Sequence, residues 1–208
     1  MPKRGGCGQA RVLSTDQLDS IMSECPPKLR AVLSTTRFTA CRISEALSLK
    51  WSNLTTTDIV IPKAVTKGKK STRTIPLNPK LAEELNAWRE MWPTHFKQEL
   101  DPNDYIFPGR NGPSEHFSRK TVDEQFRATC KKLHIQGAST HSFRRSALTA
   151  ASSAGIPVRH IQALSGHASL DMLQRYIDVS DSQKRAVSMA LGQLTADRPA
   201  RTGTQVAL

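Results

Sequence analysis

The apolar residues of this chain keep a helical period almost throughout and break it once. Between Asp58 and Ile75 the period becomes that of strands. Asp58-Ile59-Val60-Ile61 and Thr72-Arg73-Thr74-Ile75 read as two paired strands, with the Gly68 region as the turn between them. This is the one convincing β segment. The sequence therefore predicts a mainly α domain with a small antiparallel β-sheet, an α+β fold.

The flanking segments carry ordinary helix signals. Ser14-Thr15-Asp16-Gln17 has capping-box form, and Leu18, Ile21 and Met22 follow on one face. Pro26-Pro27 closes that helix and opens a second, with Leu29, Val32 and Leu33 at helical spacing. A third is expected to hold Ile43, Ala46, Leu47 and Leu49, near Arg42 and Glu45. After the hairpin, Leu81, Leu85 and Trp88 mark a helix from Pro79 to Trp92. Residues 100–118, rich in proline and glycine, read as mostly loop around a short apolar patch at Tyr105-Ile106-Phe107. Helices are then expected at about 119–134, 142–153, 157–165, 169–178 and 182–194. We expect a flexible basic segment over 1–13, one domain over 14–194 and a disordered tail over 195–208.

Charge points to the class of partner. Thirty Lys+Arg stand against 18 Asp+Glu, a net charge of +12. That balance says nothing about fold but favours a polyanion, nucleic acid first and anionic lipid second. The cysteines at 7, 25, 41 and 130 show no C-x-x-C spacing, so neither a zinc site nor a disulfide framework is expected. They read as reduced thiols in the cytoplasm. No apolar run follows the basic N-terminus as in a secretory signal, and no segment is long enough to span a membrane.

The residues that carry chemistry lie in three places. Thr39-Ala40-Cys41-Arg42-Ile43-Ser44-Glu45 comes first, then the basic hairpin Thr66-Lys67-Gly68-Lys69-Lys70-Ser71-Thr72-Arg73. His141-Ser142-Phe143-Arg144, Ser165-Gly166-His167 and Tyr176 close the set. A phosphodiester repels nucleophiles and has a poor leaving group, so an enzyme neutralises it with a metal or with fixed cations. No carboxylate grouping here has the form of a metal site. Arginine suits the alternative, because its planar fork gives phosphate two parallel hydrogen bonds and stays charged. Taken singly, each residue has a plainer reading. A lone tyrosine near a helix end is usually packing, as is Tyr105 in its apolar patch. His134 and His160 are isolated. Arg145 points away from Arg144 on a helix and reads as surface charge or a DNA-backbone contact. Lys69-Lys70-Ser71 lacks the glycines and residue order of a phosphate-binding loop, which argues against ATP.

As an ordered set, these segments resemble the catalytic domain of the tyrosine recombinase (phage integrase) family, over roughly residues 13 to 194. Most members also have an N-terminal helical domain that closes a clamp around DNA. None is expected before Ser14, as in a truncated or naturally minimal member. By motif, Arg42 matches the first arginine of Thr-Gly-x-Arg-x-Ser-Glu, with Ala40 in the glycine's place, a small change that tightens the turn. Glu45, one turn along, would orient an active-site cation. His141 and Arg144 match His-x-x-Arg. His167 matches the histidine of Leu-Gly-His, with Ser165 replacing leucine. Tyr176, nine residues later, holds the nucleophile's position. The family's lysine sits in the hairpin turn. Lys67 is the best match and Lys69 the second choice, because this hairpin is about one residue longer than usual.

The resemblance implies site-specific cleavage and rejoining of double-stranded DNA through a 3′-phosphotyrosyl intermediate, without metal, ATP or other cofactor. Tyr176 would attack and Arg42 and Arg144 would hold the non-bridging oxygens. Lys67 would protonate the leaving 5′ oxygen, and His141 would assist removal of the phenol proton. His167 would donate a hydrogen bond to the phosphate. Lys69, Lys70, Arg73 and Arg145 would contact DNA. Integration or excision of a phage or mobile element is the leading role. Alternatives are a Xer-like dimer-resolution recombinase, a catalytically inert DNA-binding regulator and a single-duplex topoisomerase. Implied partners are a second duplex, a tetramer of the chain on DNA and DNA-bending accessory proteins, in the cytoplasm with the nucleoid and not at a membrane. In Asp181–Leu194, Ala186, Val187, Met189, Ala190, Leu191 and Leu194 would form an apolar stripe on a terminal helix, which either folds back on its own domain or, as the resemblance implies, docks on a neighbouring protomer.

Overall fold

A computed structural model describes residues 10–65, 71–96, 99–174, 176 and 181–196. The chain divides after residue 177 into two compact units, and the domain expected over 14–194 spans that division.

The larger unit is built around one buried helix. α1 (Thr15–Glu24) begins at Ser14, whose Oγ accepts the Gln17 N–H at 3.2 Å while Gln17 Oε1 accepts the Ser14 N–H at 3.2 Å. α2 (Pro27–Thr39) starts on a proline whose missing N–H costs a helix nothing at that position. It buries Leu29, Val32 and Leu33 together with Ser34, Thr35, Thr36 and Thr39. Threonine hydroxyls survive burial by bonding back along the helix: Thr35 Oγ1 to the Ala31 carbonyl at 2.9 Å and Thr39 Oγ1 to the Thr35 carbonyl at 2.6 Å. α2 packs against α1, α3 (Ile43–Leu47), α4 (Pro79–Glu90), α6 (Arg119–Lys132) and α7 (His141–Ser153). It ends at Ala40 in the left-handed conformation, φ 49° and ψ 24°. Alanine there carries about 1–2 kcal/mol of strain that glycine would not.

The expected hairpin forms, one residue displaced. β1 (Asp58–Ile61) pairs antiparallel with β2 (Arg73–Pro76), Asp58 opposite Pro76 and Ile61 opposite Arg73. Ile59, Ile61 and Ile75 enter the core. The turn expected around Gly68, with Lys67, Lys69 and Lys70, falls on residues 66–70, outside the described residues. Beyond α4, a short α5 (Trp92–Phe96) seats Trp92 edge-on to Trp51, ring centroids 5.7 Å apart. Trp88 Nε1 donates to the Ile106 carbonyl at 2.6 Å.

Residues 100–118 are mostly loop, but the hairpin is not the one β segment, since β3 (Pro108–Gly109) and β4 (Gly112–His116) form a second two-stranded antiparallel sheet there. Its proline and glycine content hid it. The register shifts at Pro108/Gly109, and a Cβ on Gly109 would stand 3.0 Å from the His116 carbonyl oxygen.

α8 (Val158–Ser165) closes at Gly166, φ 68°, as a left-handed C-cap. α9 (Leu170–Gln174) is shorter than the expected 169–178 helix, and Tyr176 sits in a turn beyond it. Ala40, Leu148, Ile161 and Leu173 form a small core of their own, with Tyr176 packed on it. The second unit contains α10 (Asp181–Ala196), on which Val187, Met189 and Leu191 are exposed. Among the described residues, no helix is long and apolar enough to cross a membrane.

Candidate active site

Three stretches far apart in sequence meet where α2 ends, α7 begins and α8 turns into α9. Arg42 is the extended residue before α3, φ −73° and ψ 148°. Glu45, 1% exposed, ties it down twice. Oε2 accepts the Arg42 backbone N–H at 2.8 Å, and Oε1 accepts Nη1 at 3.0 Å. Burial would raise the Glu45 carboxyl. The hydrogen bond from the Arg42 backbone and the charges of Arg73 and Arg42 outweigh it and hold the group below the usual carboxylate range.

α7 presents His141 at its first position, exposed, and Arg144 one turn on, 3% exposed. Arg144 Nη1 donates to the Ala40 carbonyl. Nη2 donates to the Ser165 carbonyl at 3.2 Å and lies 3.0 Å from His167 Nε2. The left-handed turn at Ala40 brings that carbonyl within reach. Burial, then the Arg42 charge, lowers the Arg144 guanidinium to about 10, which leaves it charged at neutral pH.

His167 is 6% exposed. Burial first, then the charges of Arg144, Arg42 and Arg73, depress its imidazolium to about 4, so the ring is neutral near pH 7. An arginine has no acceptor, so Nε2 must accept from Arg144, and the ring proton sits on Nδ1, 2.7 Å from Ser165 Oγ. To donate to a phosphate from Nε2, His167 must first lose Arg144 and move or gain a proton.

Tyr176 follows α9. Thr149 Oγ1 donates to its carbonyl at 3.0 Å, and its ring lies 5.1 Å from the His167 ring at 46°. Arg42, Arg119, His141, His167 and Tyr176 line one cleft of about 440 Å³. Four of the expected residues thus share a cavity, and Arg144 stands among their partners, close enough for the Tyr176 phenol to act on its charge. Tyr105 is elsewhere, edge-on to His116 with Lys50 over its ring.

Two expected DNA contacts are placed differently. Arg145 is buried, not a surface charge. Arg73 turns inward, with Nη1 donating to the Ser165 carbonyl at 2.6 Å and Nη2 to Glu45 Oε2 at 2.9 Å. Strand alternation carried that signal: Arg73 lies two residues from the buried Ile75 and so on the same face of β2. Arg119, absent from the motif reading, lines the cleft from the start of α6 and lies 3.7 Å from Asp123. The carbonyls of Ala40 and Ser165 have no signature beyond the turns that aim them.

Arg42, Arg73 and Arg144 surround the single carboxylate of Glu45, and the surplus positive charge in a poorly solvated pocket suits an anion. Among the described residues, no three His, Cys, Asp or Glu side chains gather as a metal set. Cys25, Cys41 and Cys130 are buried, and burial pushes their thiols up to about 11, which removes them as nucleophiles.

Residues 11–183 match the model of the phage integrase family. The chain is 31% identical over 155 residues to the tyrosine recombinase XerC of Mesorhizobium japonicum, across 74% of this chain and 47% of that protein. It therefore spans about half the length of that relative. Its fold is similar to that of the XerA recombinase, TM-score 0.69 at 23% identity, over 96% of this chain and 67% of the other. It is also similar to the Tn1549 transposon integrase in complex with transposon right end DNA, TM-score 0.72 at 18% identity, over 89% and 67% of the two chains.

Proposed function

We propose that this chain, which belongs to the phage integrase family, cuts and rejoins double-stranded DNA at specific sites through a 3′-phosphotyrosyl intermediate. One observation carries the reading: Arg42, His141, His167 and Tyr176, from opposite ends of the sequence, line one cleft. The Tyr176 phenol attacks the scissile phosphorus as the bond to the 5′ oxygen breaks. Charge grows on the non-bridging oxygens, and Arg42 and Arg144 meet it with fixed guanidinium groups. His141, exposed at the mouth, takes the phenol proton. A hairpin lysine, Lys67 or else Lys69, returns a proton to the departing 5′ oxygen. A 5′-hydroxyl from a partner duplex then attacks the phosphotyrosine and releases Tyr176. The link conserves the energy of the broken bond, so the cycle consumes neither ATP nor metal.

The domain that does this extends over about 14–194, acting with DNA in the cytoplasm. Integration or excision of a phage or mobile element is the reading we favour, with likeness to a transposon integrase in its support. Dimer resolution is the second, supported by the XerC relative. The filled catalytic positions argue against an inert regulator. On DNA, four protomers bring two duplexes together, α10 reaching a neighbour through Val187, Met189 and Leu191, with bending proteins assisting. Two experiments divide the classes. A nicked suicide duplex traps covalent protein with an enzyme and nothing with an inert binder. A two-duplex exchange assay yields recombinants with a recombinase and relaxation alone with a topoisomerase.

A further inference from the structure

The reaction described above leaves Arg73 unused, although it reaches into the site. The Arg73 side chain is 10% exposed, and its two terminal nitrogens go to different elements. Nη1 meets the Ser165 carbonyl at the end of α8, and Nη2 meets Glu45 Oε2 in α3. The same Ser165 carbonyl accepts from Arg144, and the same Glu45 carboxylate accepts from Arg42. One guanidinium thus touches a partner of each arginine of the proposed phosphate clamp. Gly166 makes room for it. A Cβ at that position would lie 1.5 Å from Arg73 Nη1 and 2.5 Å from Cζ, so a side chain at 166 and the Arg73 guanidinium exclude one another.

We propose that Arg73 is a positioning residue that sets how Arg42 and Arg144 present themselves to the scissile phosphate. The inference rests on the recombinase reading. Arg73 and the Arg42 backbone N–H occupy Glu45 Oε2, which leaves Oε1 for the Arg42 guanidinium. Arg42 is therefore held through one nitrogen and not as a fork-to-fork pair. The remainder of its fork, on a side chain that lines the cleft, can take a phosphate oxygen. Likewise the Ser165 carbonyl has two lone pairs, and Arg73 shares it with Arg144. Without Arg73, Glu45 closes on Arg42 with both oxygens, and Ser165 binds Arg144 alone. Both clamp residues then retreat from the phosphate.

The test is single-turnover cleavage of a nicked suicide duplex at saturating protein, with DNA affinity and melting temperature measured alongside. Arg73→Ala is expected to cleave at least tenfold more slowly while binding within threefold of wild type. Arg73→Lys keeps the charge but gathers its donors on one nitrogen in place of a planar fork, and falls between them. In Gly166→Ala the new methyl evicts the guanidinium, so this variant reproduces the defect, and the double variant is no slower than Gly166→Ala alone. A methylphosphonate at the scissile position is neutral and needs less of the clamp, so the Arg73→Ala defect shrinks on it. A merely loosened fold gives the same defect on both substrates. A loss below tenfold, equal defects on the two substrates, or multiplied losses in the double variant would overturn the positioning role and leave the recombinase reading standing. A wild-type chain that forms no covalent adduct overturns that reading, and this role with it.

Discussion

At the scale of single residues, the site is a problem of charge held away from water. Arg42 and Arg144 are each held by an internal acceptor, Glu45 for one and the Ala40 and Ser165 carbonyls for the other. We expect Arg42→Ala and Arg144→Ala to lower single-turnover cleavage by about 10²–10³-fold, about 2.7–4 kcal/mol, with much smaller effects on DNA affinity. Cleavage within threefold of wild type by either variant would remove the clamp. His167 makes the opposite bargain and stays neutral. Its imidazolium is depressed from 6.5 to about 4 in the folded chain, so between those values the unfolded chain binds the extra proton. Stability is therefore complete above about pH 6.5 and declines as pH falls toward 4, by roughly 3 kcal/mol at most. Denaturant midpoints measured across that window will fall less steeply for His167→Gln than for wild type. Equal slopes would show that His167 titrates normally. The motif residues were legible because their chemistry is in their side chains. The carbonyls that hold Arg144 were not, since backbone geometry supplies them. Arg73 was half legible, its direction set by alternation with Ile75 and its partners set only by the packing of α3 and α8.

Among the elements, the hairpin and the last helix carry the next two predictions. β1 and β2 were readable from their β-branched alternation, and the shift of one residue reflects a ladder that ends at Pro76. β3 and β4 were not readable, because Pro108, Gly109, Gly112 and Pro113 announce turns and only the close backbone approach at Gly109 makes them strands. Lys67 and Lys69 lie outside the described residues, and chemistry can choose between them as general acid. A duplex with a 5′-bridging sulfur has a leaving group that needs no proton, so it will rescue Lys67→Ala and not Lys69→Ala. The reverse pattern moves the general acid from Lys67 to Lys69. For α10, removal of residues 181–208 is expected to weaken synapsis and recombination while a single duplex is still bound. Unchanged synaptic complexes in native gels or sedimentation would make the exposed Val187, Met189 and Leu191 irrelevant to assembly.

For the whole molecule, a net charge of +12 supplies non-specific attraction to DNA, and one buried helix, α2, supplies the frame that joins the early arginine to the late histidines and tyrosine. The helical class was legible because nearly every segment shows a clean apolar face. The convergence of residues 42, 144, 167 and 176 was legible only through motif order, since periodicity reveals which face is buried and not which helices meet. Tyr176 illustrates the difference: its spacing from His167 was in the sequence, but its place in a turn after a shortened α9 was not. The proposed chemistry turns on a covalent bond between this phenol and the 3′ end of cut DNA. It is tested most directly by incubating wild type and Tyr176→Phe with a labelled nicked suicide duplex in excess EDTA, resolving adducts on a denaturing gel and mapping the linked peptide by mass spectrometry. Wild type will form an adduct through the 3′ phosphate on Tyr176, undiminished by the chelator, and Tyr176→Phe will form none despite intact DNA binding. An adduct on the phenylalanine variant, a link to another residue, or an adduct that EDTA abolishes and magnesium restores would contradict it.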